Sequence, residues 1–264
     1  MANINIRKFN PKKIENNRII LFIGKRNTGK STLVRDIMWH HRDIPVGVVM
    51  SPTEESNEFY KEMVPDSYIY GDYDASAIDS IIKRQKKCIR EKKKENVFIL
   101  MDDCMYDGKK ITKDVNMRGI FMNGRHWGIL CMITMQYCMD LSPDLRANID
   151  YLFVLRENIL SNKEKIYKNF FGIFPSFDVF NQVMDKCTEN FECLVLDNTS
   201  RSNKIEETVY WYKADVHKPF RMCAPYVWNH HTRAYKKDYD ITKDEDISKD
   251  KKSKPSVKVT KKKS

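Results

Sequence analysis

The chain has 264 residues, with 47 Lys and Arg against 36 Asp and Glu for a formal net charge of +11. Hydrophobic residues make up 41% and aromatics 11%, which are globular values. No apolar run approaches the roughly 18 residues that a membrane span needs, and Met1–Arg7 lacks the apolar stretch of a secretory signal, so a soluble, non-secreted protein is expected.

Residues 1–17 read as an N-terminal extension, and the first strong element is Ile19-Ile20-Leu21-Phe22-Ile23, a predicted strand. Directly after it, Gly24-Lys25-Arg26-Asn27-Thr28-Gly29-Lys30-Ser31 matches the pattern G-x-x-x-x-G-K-[ST] without a gap. Its two glycines allow a tight wrap in which several backbone N–H groups point inward at a helix N-terminus, where the dipole favours anions. Lys30 is then placed to reach the terminal phosphates of a nucleotide and Ser31 to hold Mg²⁺, with Thr32 continuing the loop into the helix. Leu33, Val34, Ile37 and Met38 share one helical face. Strand, loop and helix therefore follow in the order the motif requires, and ATP with Mg²⁺ is the expected ligand.

Val46–Met50 reads as the second strand and Tyr68–Tyr70 as a short third. Ile78, Ile81, Ile82, Cys88 and Ile89 mark the apolar stripe of a helix that turns Lys83, Arg84, Lys86, Lys87 and Arg90 to water. Val97-Phe98-Ile99-Leu100-Met101 then reads as a parallel strand buried on both faces, ending in Asp102-Asp103. Carboxylates at the C-terminal end of such a strand sit where open α/β sheets bind ligands. Phosphoryl transfer needs one acid for the metal and another for the attacking water, so Asp102 is assigned to Mg²⁺ and Asp103 to the water.

Gly128–Gln136 is another buried-strand run, and its terminal amide can donate and accept hydrogen bonds at once, which suits Gln136 to bridge water and phosphate. Tyr151–Leu155 is a further strand, followed by helices near 163–170 and 177–187. Glu192–Leu196 and Val209–Tyr212 form a C-terminal pair, with Asn198–Asn203 read as its hairpin turn. This alternation predicts an α/β fold over 18–228, a mostly parallel central sheet flanked by helices. The segment 229–264 reads as a disordered, Lys-rich tail that carries about half of the net charge and can hold DNA phosphates or simply aid solubility.

Seven cysteines, Cys88, Cys104, Cys131, Cys138, Cys187, Cys193 and Cys223, form no C-x-x-C pair and are odd in number. Reduced, buried thiols in a cytoplasm-like compartment are expected. His40-His41 and His230-His231 are adjacent pairs whose side chains point apart, so neither is expected to share a metal.

The block from Gly124-Arg125-His126-Trp127-Gly128 through Thr134-Met135-Gln136 to Leu145-Arg146-Ala147-Asn148-Ile149-Asp150 resembles the FtsK/HerA superfamily of DNA-pumping ATPases. Within it, the compact form with Asp102-Asp103 is similar to the genome-packaging ATPases of poxviruses and other large nucleocytoplasmic DNA viruses, whereas FtsK-type members usually carry Asp-Glu there. The resemblance implies a RecA-like additional-strand P-loop NTPase that hydrolyses ATP and threads double-stranded DNA through a homo-oligomeric ring, a pentamer or hexamer. It implies that Gln136 reads the terminal phosphate and that an arginine acts in trans, with Arg125 and Arg146 as candidates and Arg118 as a third. Capsid or membrane-associated virion proteins are implied partners, and the viral factory or the virion the implied location. Two readings from other classes stay open, a nucleotide-switched DNA or capsid scaffold and a small-molecule kinase.

Overall fold

A computed structural model describes residues 4–104, 111–137 and 141–235. Residues 236–264 of the expected tail and Cys138 lie outside the described residues, whereas residues 229–234 of that segment continue a helix that starts at Pro225. The strands are β1 (Arg7–Lys8), β2 (Ile19–Ile23), β3 (Val46–Met50), β4 (Ile69–Tyr70), β5 (Val97–Asp102), β6 (Ile129–Met135), β7 (Tyr151–Val154), β8 (Glu192–Asp197) and β9 (Val209–Lys213). The α-helices are α1 (Lys30–His40), α2 (Glu54–Asn57), α3 (Ala75–Arg90), α4 (Val115–Trp127), α5 (Pro143–Arg146), α6 (Leu160–Phe170), α7 (Phe177–Cys187), α8 (Ile205–Thr208) and α9 (Pro225–Ala234).

The nine strands form one sheet in the order β1-β9-β8-β7-β2-β6-β5-β3-β4. Every pairing is parallel except those of β8, which runs antiparallel to β7 and β9. β6 stands between the strand that precedes the glycine loop and the strand that ends in Asp102, the additional strand of the expected architecture.

Period-2 alternation divides the core between the two faces. Leu21, Ile99, Cys131 and Leu152 point to the side covered by α3, α4, α6 and α7, where Ile78, Ile120, Ile166 and Phe180 meet them. Ile20, Phe22, Phe98, Met132 and Phe153 point to the other side, under Leu33, Val34, Ile37 and Met38 of α1. Burial on both faces is why these strands read as unbroken apolar runs. Gly47 belongs to this packing, since a Cβ there would meet the Phe98 ring at 2.1 Å.

The helices start where capping chemistry allows. Asp74 accepts from the N–H groups of Ser76 and Ala77 at the head of α3, and Asp114 from Met117 N–H at the head of α4. The stripe expected on α3 is buried at Ile78, Ile81, Ile82 and Cys88, but Ile89, in the last turn of the helix, is 48% exposed.

Two further features differ from the sequence reading. The segment read as an extension contributes β1 to the sheet and places Phe9 edge-on against Tyr151, Phe153 and Tyr210. The β8–β9 pair exists in antiparallel register, Glu192 opposite Lys213, yet Asn198–Asn203 does not close it alone, because α8 lies within the same connection.

Candidate functional site

The strand registers bring the sequence motifs to one edge of the sheet. Phe22 pairs with Thr134 and Thr134 with Asp102, so the glycine loop after β2, Gln136 after β6 and Asp102-Asp103 at the end of β5 emerge side by side. They surround a cavity of about 760 Å³ lined by Lys25, Arg26, Asn27, Gly29, Lys30, Ser31, Thr32, Asp102, Asp103 and Gln136. Gly24 and Thr28 shape the loop behind this lining, with Gly24 N–H donating to Met135 O (3.1 Å) and Thr28 Oγ1 to Lys25 O (2.7 Å).

The loop turns through left-handed backbone at Asn27 (φ 62°) and Gly29 (φ 94°), and α1 starts at Lys30. No side chain caps that start, since Gly29 has none and the Thr28 hydroxyl is spent on Lys25 O. The first-turn N–H groups of a helix are its orphan donors, and here they face the cavity at the positive end of the helix dipole. This is an anion cradle built from backbone.

On the opposite wall the Lys30 ammonium is ion-paired with Asp103 Oδ1. Gln136 Nε2 donates to the other oxygen, Asp103 Oδ2, at 3.2 Å. Thr134 organises both acids. Its hydroxyl donates to Asp102 Oδ1 at 2.6 Å and accepts from Asp103 N–H at 3.0 Å. A hydroxyl has one proton, so the 3.3 Å contact from Thr134 Oγ1 to Asp103 Oδ1 is left without a donor. Asp103 has φ 53°, a left-handed conformation that aspartate adopts more readily than most residues, and it turns the carboxylate toward Lys30.

The neighbouring groups favour a charged site. Lys25 pairs with Glu157 at 2.5 Å. Burial works against ionisation of Glu157, but Lys25 and the N–H of Ile159 outweigh it and hold its carboxyl below the usual range. Beneath Asp102, Tyr60 is buried, and burial together with the Asp102 charge pushes its hydroxyl pKa well up, so it stays protonated. Glu54, also buried, accepts from the N–H groups of Tyr60 and Lys61 and fixes the segment after β3 that closes the cavity.

Arg125 and Arg146 are not brought to this cavity. Arg125 lies just before β6 and pairs with Asp150 at 2.7 Å, at the sheet edge where the parallel strands begin. A seven-residue strand separates the two edges by about 20 Å. Arg146 lies near that same edge in a second cavity with Lys168, Asn169, Phe170 and Asn198. Arg118 pairs with Asp144 at 2.7 Å.

Several lining residues escaped the sequence reading. Pro52, Thr53, Asn57 and Phe59 come from the segment after β3 and carry no motif. Thr134 did leave a signal, being the one polar residue in an otherwise apolar strand, and a fully buried hydroxyl demands a partner. Phe191 is 67% exposed in left-handed backbone (φ 64°), and its ring stands 3.3 Å from where a Cβ on Gly29 would be.

No protein-family model matches the chain. The uncharacterized protein L437 of Acanthamoeba polyphaga mimivirus is 37% identical over 250 residues, covering 89% of this chain and 88% of L437. The uncharacterized protein 075L of Invertebrate iridescent virus 6 is 39% identical over 214 residues, covering 80% of this chain and 82% of 075L. Among solved structures, the genome packaging NTPase B204 from Sulfolobus turreted icosahedral virus 2, in complex with sulfate, superposes with a TM-score of 0.56 at 16% identity, over 78% of this chain and all of B204. B204 in complex with AMPPCP gives a TM-score of 0.52 at 17% identity, over 76% of this chain and all of B204. At these identities the likeness to B204 establishes the fold, that of a RecA-like P-loop NTPase.

Proposed function

The chain belongs to the family of large-DNA-virus proteins that includes L437 and 075L, and from that premise we propose that it is an ATP-driven motor packaging double-stranded DNA into a viral capsid as a homo-oligomeric ring. The observation that carries the reading is the register Phe22–Thr134–Asp102, through which the glycine loop, both carboxylates and Gln136 share one cavity. Support comes also from B204, a genome packaging NTPase solved with AMPPCP.

In this mechanism the N–H groups at the start of α1 cradle the phosphates and Lys30 exchanges Asp103 for the terminal phosphate. Asp103, released and still held by Gln136, orients the attacking water and takes its proton. Ser31 and Asp102 offer hard oxygen donors on the same cavity, the ligand type Mg²⁺ shares with substrate phosphates, and they would hold the ion. When bound, Mg²⁺ neutralises charge on the β- and γ-phosphates. Arg125 and Arg146 do not reach their own chain's cavity, so either contributes only across a subunit boundary, where such an arginine is worth about 10³–10⁵ in kcat. The exposed Phe191 ring beside Gly29 offers a face for the base.

ADP release by the full chain, with and without duplex DNA and with no other phosphoryl acceptor, tests the proposal. A motor turns over faster with duplex and loses all turnover in Lys30→Ala. Equal, negligible rates favour a nucleotide-switched DNA or capsid scaffold, and turnover only with an added small-molecule acceptor favours a kinase.

A further inference from the structure

The far end of the P-loop helix holds a second cluster of metal-ligating side chains. Asp36 and His40 lie four residues apart on α1, a spacing that puts both on one helical face. The chain returns to that face at the end of β9, where Tyr212 Oη donates to Asp36 Oδ2 at 2.6 Å, and just beyond the strand His217 Nε2 stands 2.5 Å from Asp36 Oδ1. His40 Nε2 is 3.6 Å from the same oxygen, and the three ligating atoms lie within 4.8 Å of one another. Asp36 is fully buried and the His40 side chain is 10% exposed, yet His40 Nε2 is buried without a hydrogen-bond partner. A buried polar nitrogen aimed at a carboxylate and a second imidazole is costly unless something satisfies it.

We propose that Asp36, His40 and His217 form a binding site for one first-row divalent transition-metal ion, zinc by preference. Two imidazoles and a carboxylate suit such ions, whereas Mg²⁺ takes oxygen donors, so the site discriminates against the metal expected beside the nucleotide. Zinc bonds of 2.0–2.2 Å in tetrahedral geometry set neighbouring donors about 3.4 Å apart. The His40–Asp36 separation already fits, and the shorter Asp36–His217 contact opens by about 1 Å on binding.

The surroundings match those of a ligand set. Tyr212 ties down the carboxylate oxygen that faces away from the imidazoles, the outer-shell arrangement that orients a metal ligand. Trp39 stacks flat on His217, with ring centroids 4.1 Å apart and planes 2° apart, which fixes the imidazole plane. A water can take the fourth position. His217 belongs to an irregular segment between β9 and α9, so the ion would pin that segment to the helix carrying Lys30.

Titration of the tag-free full chain with Co²⁺, followed by visible absorption, tests this without reference to ATP turnover. One Co²⁺ per chain should give a tetrahedral absorption band, displaced by one equivalent of Zn²⁺ and unaffected by excess Mg²⁺. His40→Gln and His217→Gln should each weaken Co²⁺ binding more than about 100-fold, and Lys30→Ala should leave the titration unchanged. Far-UV circular dichroism checks that both histidine variants stay folded. Absence of the band in the unmodified chain, or a band that survives either histidine substitution in a folded protein, overturns the proposal.

Discussion

Lys30 and Asp103, 73 residues apart in the chain, form an ion pair across the floor of the cavity. The lysine of the anion cradle is thereby held by the acid assigned to the attacking water, and each is freed for its task only when the other changes partner. Asp103→Asn removes the pairing and the general base together. Turnover should fall by about 10²–10⁴, while nucleotide affinity stays equal or rises because Lys30 no longer has a competing carboxylate. Single-turnover kinetics and a fluorescent-nucleotide titration on the same variant separate the two effects.

Thr134 ties Asp102 to Asp103 through one hydroxyl. Thr134→Val nearly keeps the volume and leaves a part-buried Asp102 carboxylate oxygen and the Asp103 N–H short of a partner. A stability loss of about 1–3 kcal/mol is expected, read by urea denaturation, together with a higher Mg²⁺ requirement for turnover because Asp102 loses its orienting donor.

Phe191 stands exposed beside Gly29 in left-handed backbone. If its ring receives the base, Phe191→Ala should weaken nucleotide binding by about 0.5–1.5 kcal/mol, roughly 2- to 12-fold in Kd. Its exposure makes the expected change in folding stability smaller than about 0.5 kcal/mol. Isothermal titration with ADP and thermal denaturation give the two numbers, and a stability loss without an affinity loss would remove Phe191 from the site.

His41 is 4% exposed, its Nδ1 lies 2.6 Å from Asn16 Oδ1, and burial drops its pKa to about 4. Because the folded value lies below the unfolded one, the stabilisation is complete above pH ~6.5 and is lost as pH falls toward about 4, where the folded form also takes up the proton. The shift corresponds to about 3 kcal/mol. Denaturation midpoints measured between pH 7 and pH 4 should fall steeply for the unmodified chain and less steeply for His41→Gln.

Much of the sheet was legible because its strands are buried on both faces. Five-residue apolar runs such as Ile19–Ile23 and Val97–Met101 are too short for a buried helix, and the glycine loop or the acidic pair that follows each one marks the C-terminal end of a parallel strand. The helix at Phe177–Cys187 was also legible, with Phe180 and Met184 four residues apart and Ser176 capping its start. β1 was not, since Arg7–Lys8 is short, exposed and charged, and only pairing with β9 makes it a strand. Of the site, the glycine loop, Asp102-Asp103 and Gln136 announce themselves by order along the chain. Thr134 and Phe59 act through position in space, and the partnership of His40 with His217 depends on α1 and the segment after β9 meeting across the fold. Reading histidines only as adjacent pairs passed over it.

The central claim is that the glycine loop and the twin carboxylates act on one metal-bound triphosphate. Mn²⁺ binding in the presence of a non-hydrolysable ATP analogue, followed by electron paramagnetic resonance, tests it most directly. The account predicts one nucleotide-dependent Mn²⁺ per chain, lost in both Ser31→Ala and Asp102→Asn. Nucleotide-dependent Mn²⁺ binding that persists unchanged in Asp102→Asn would contradict it.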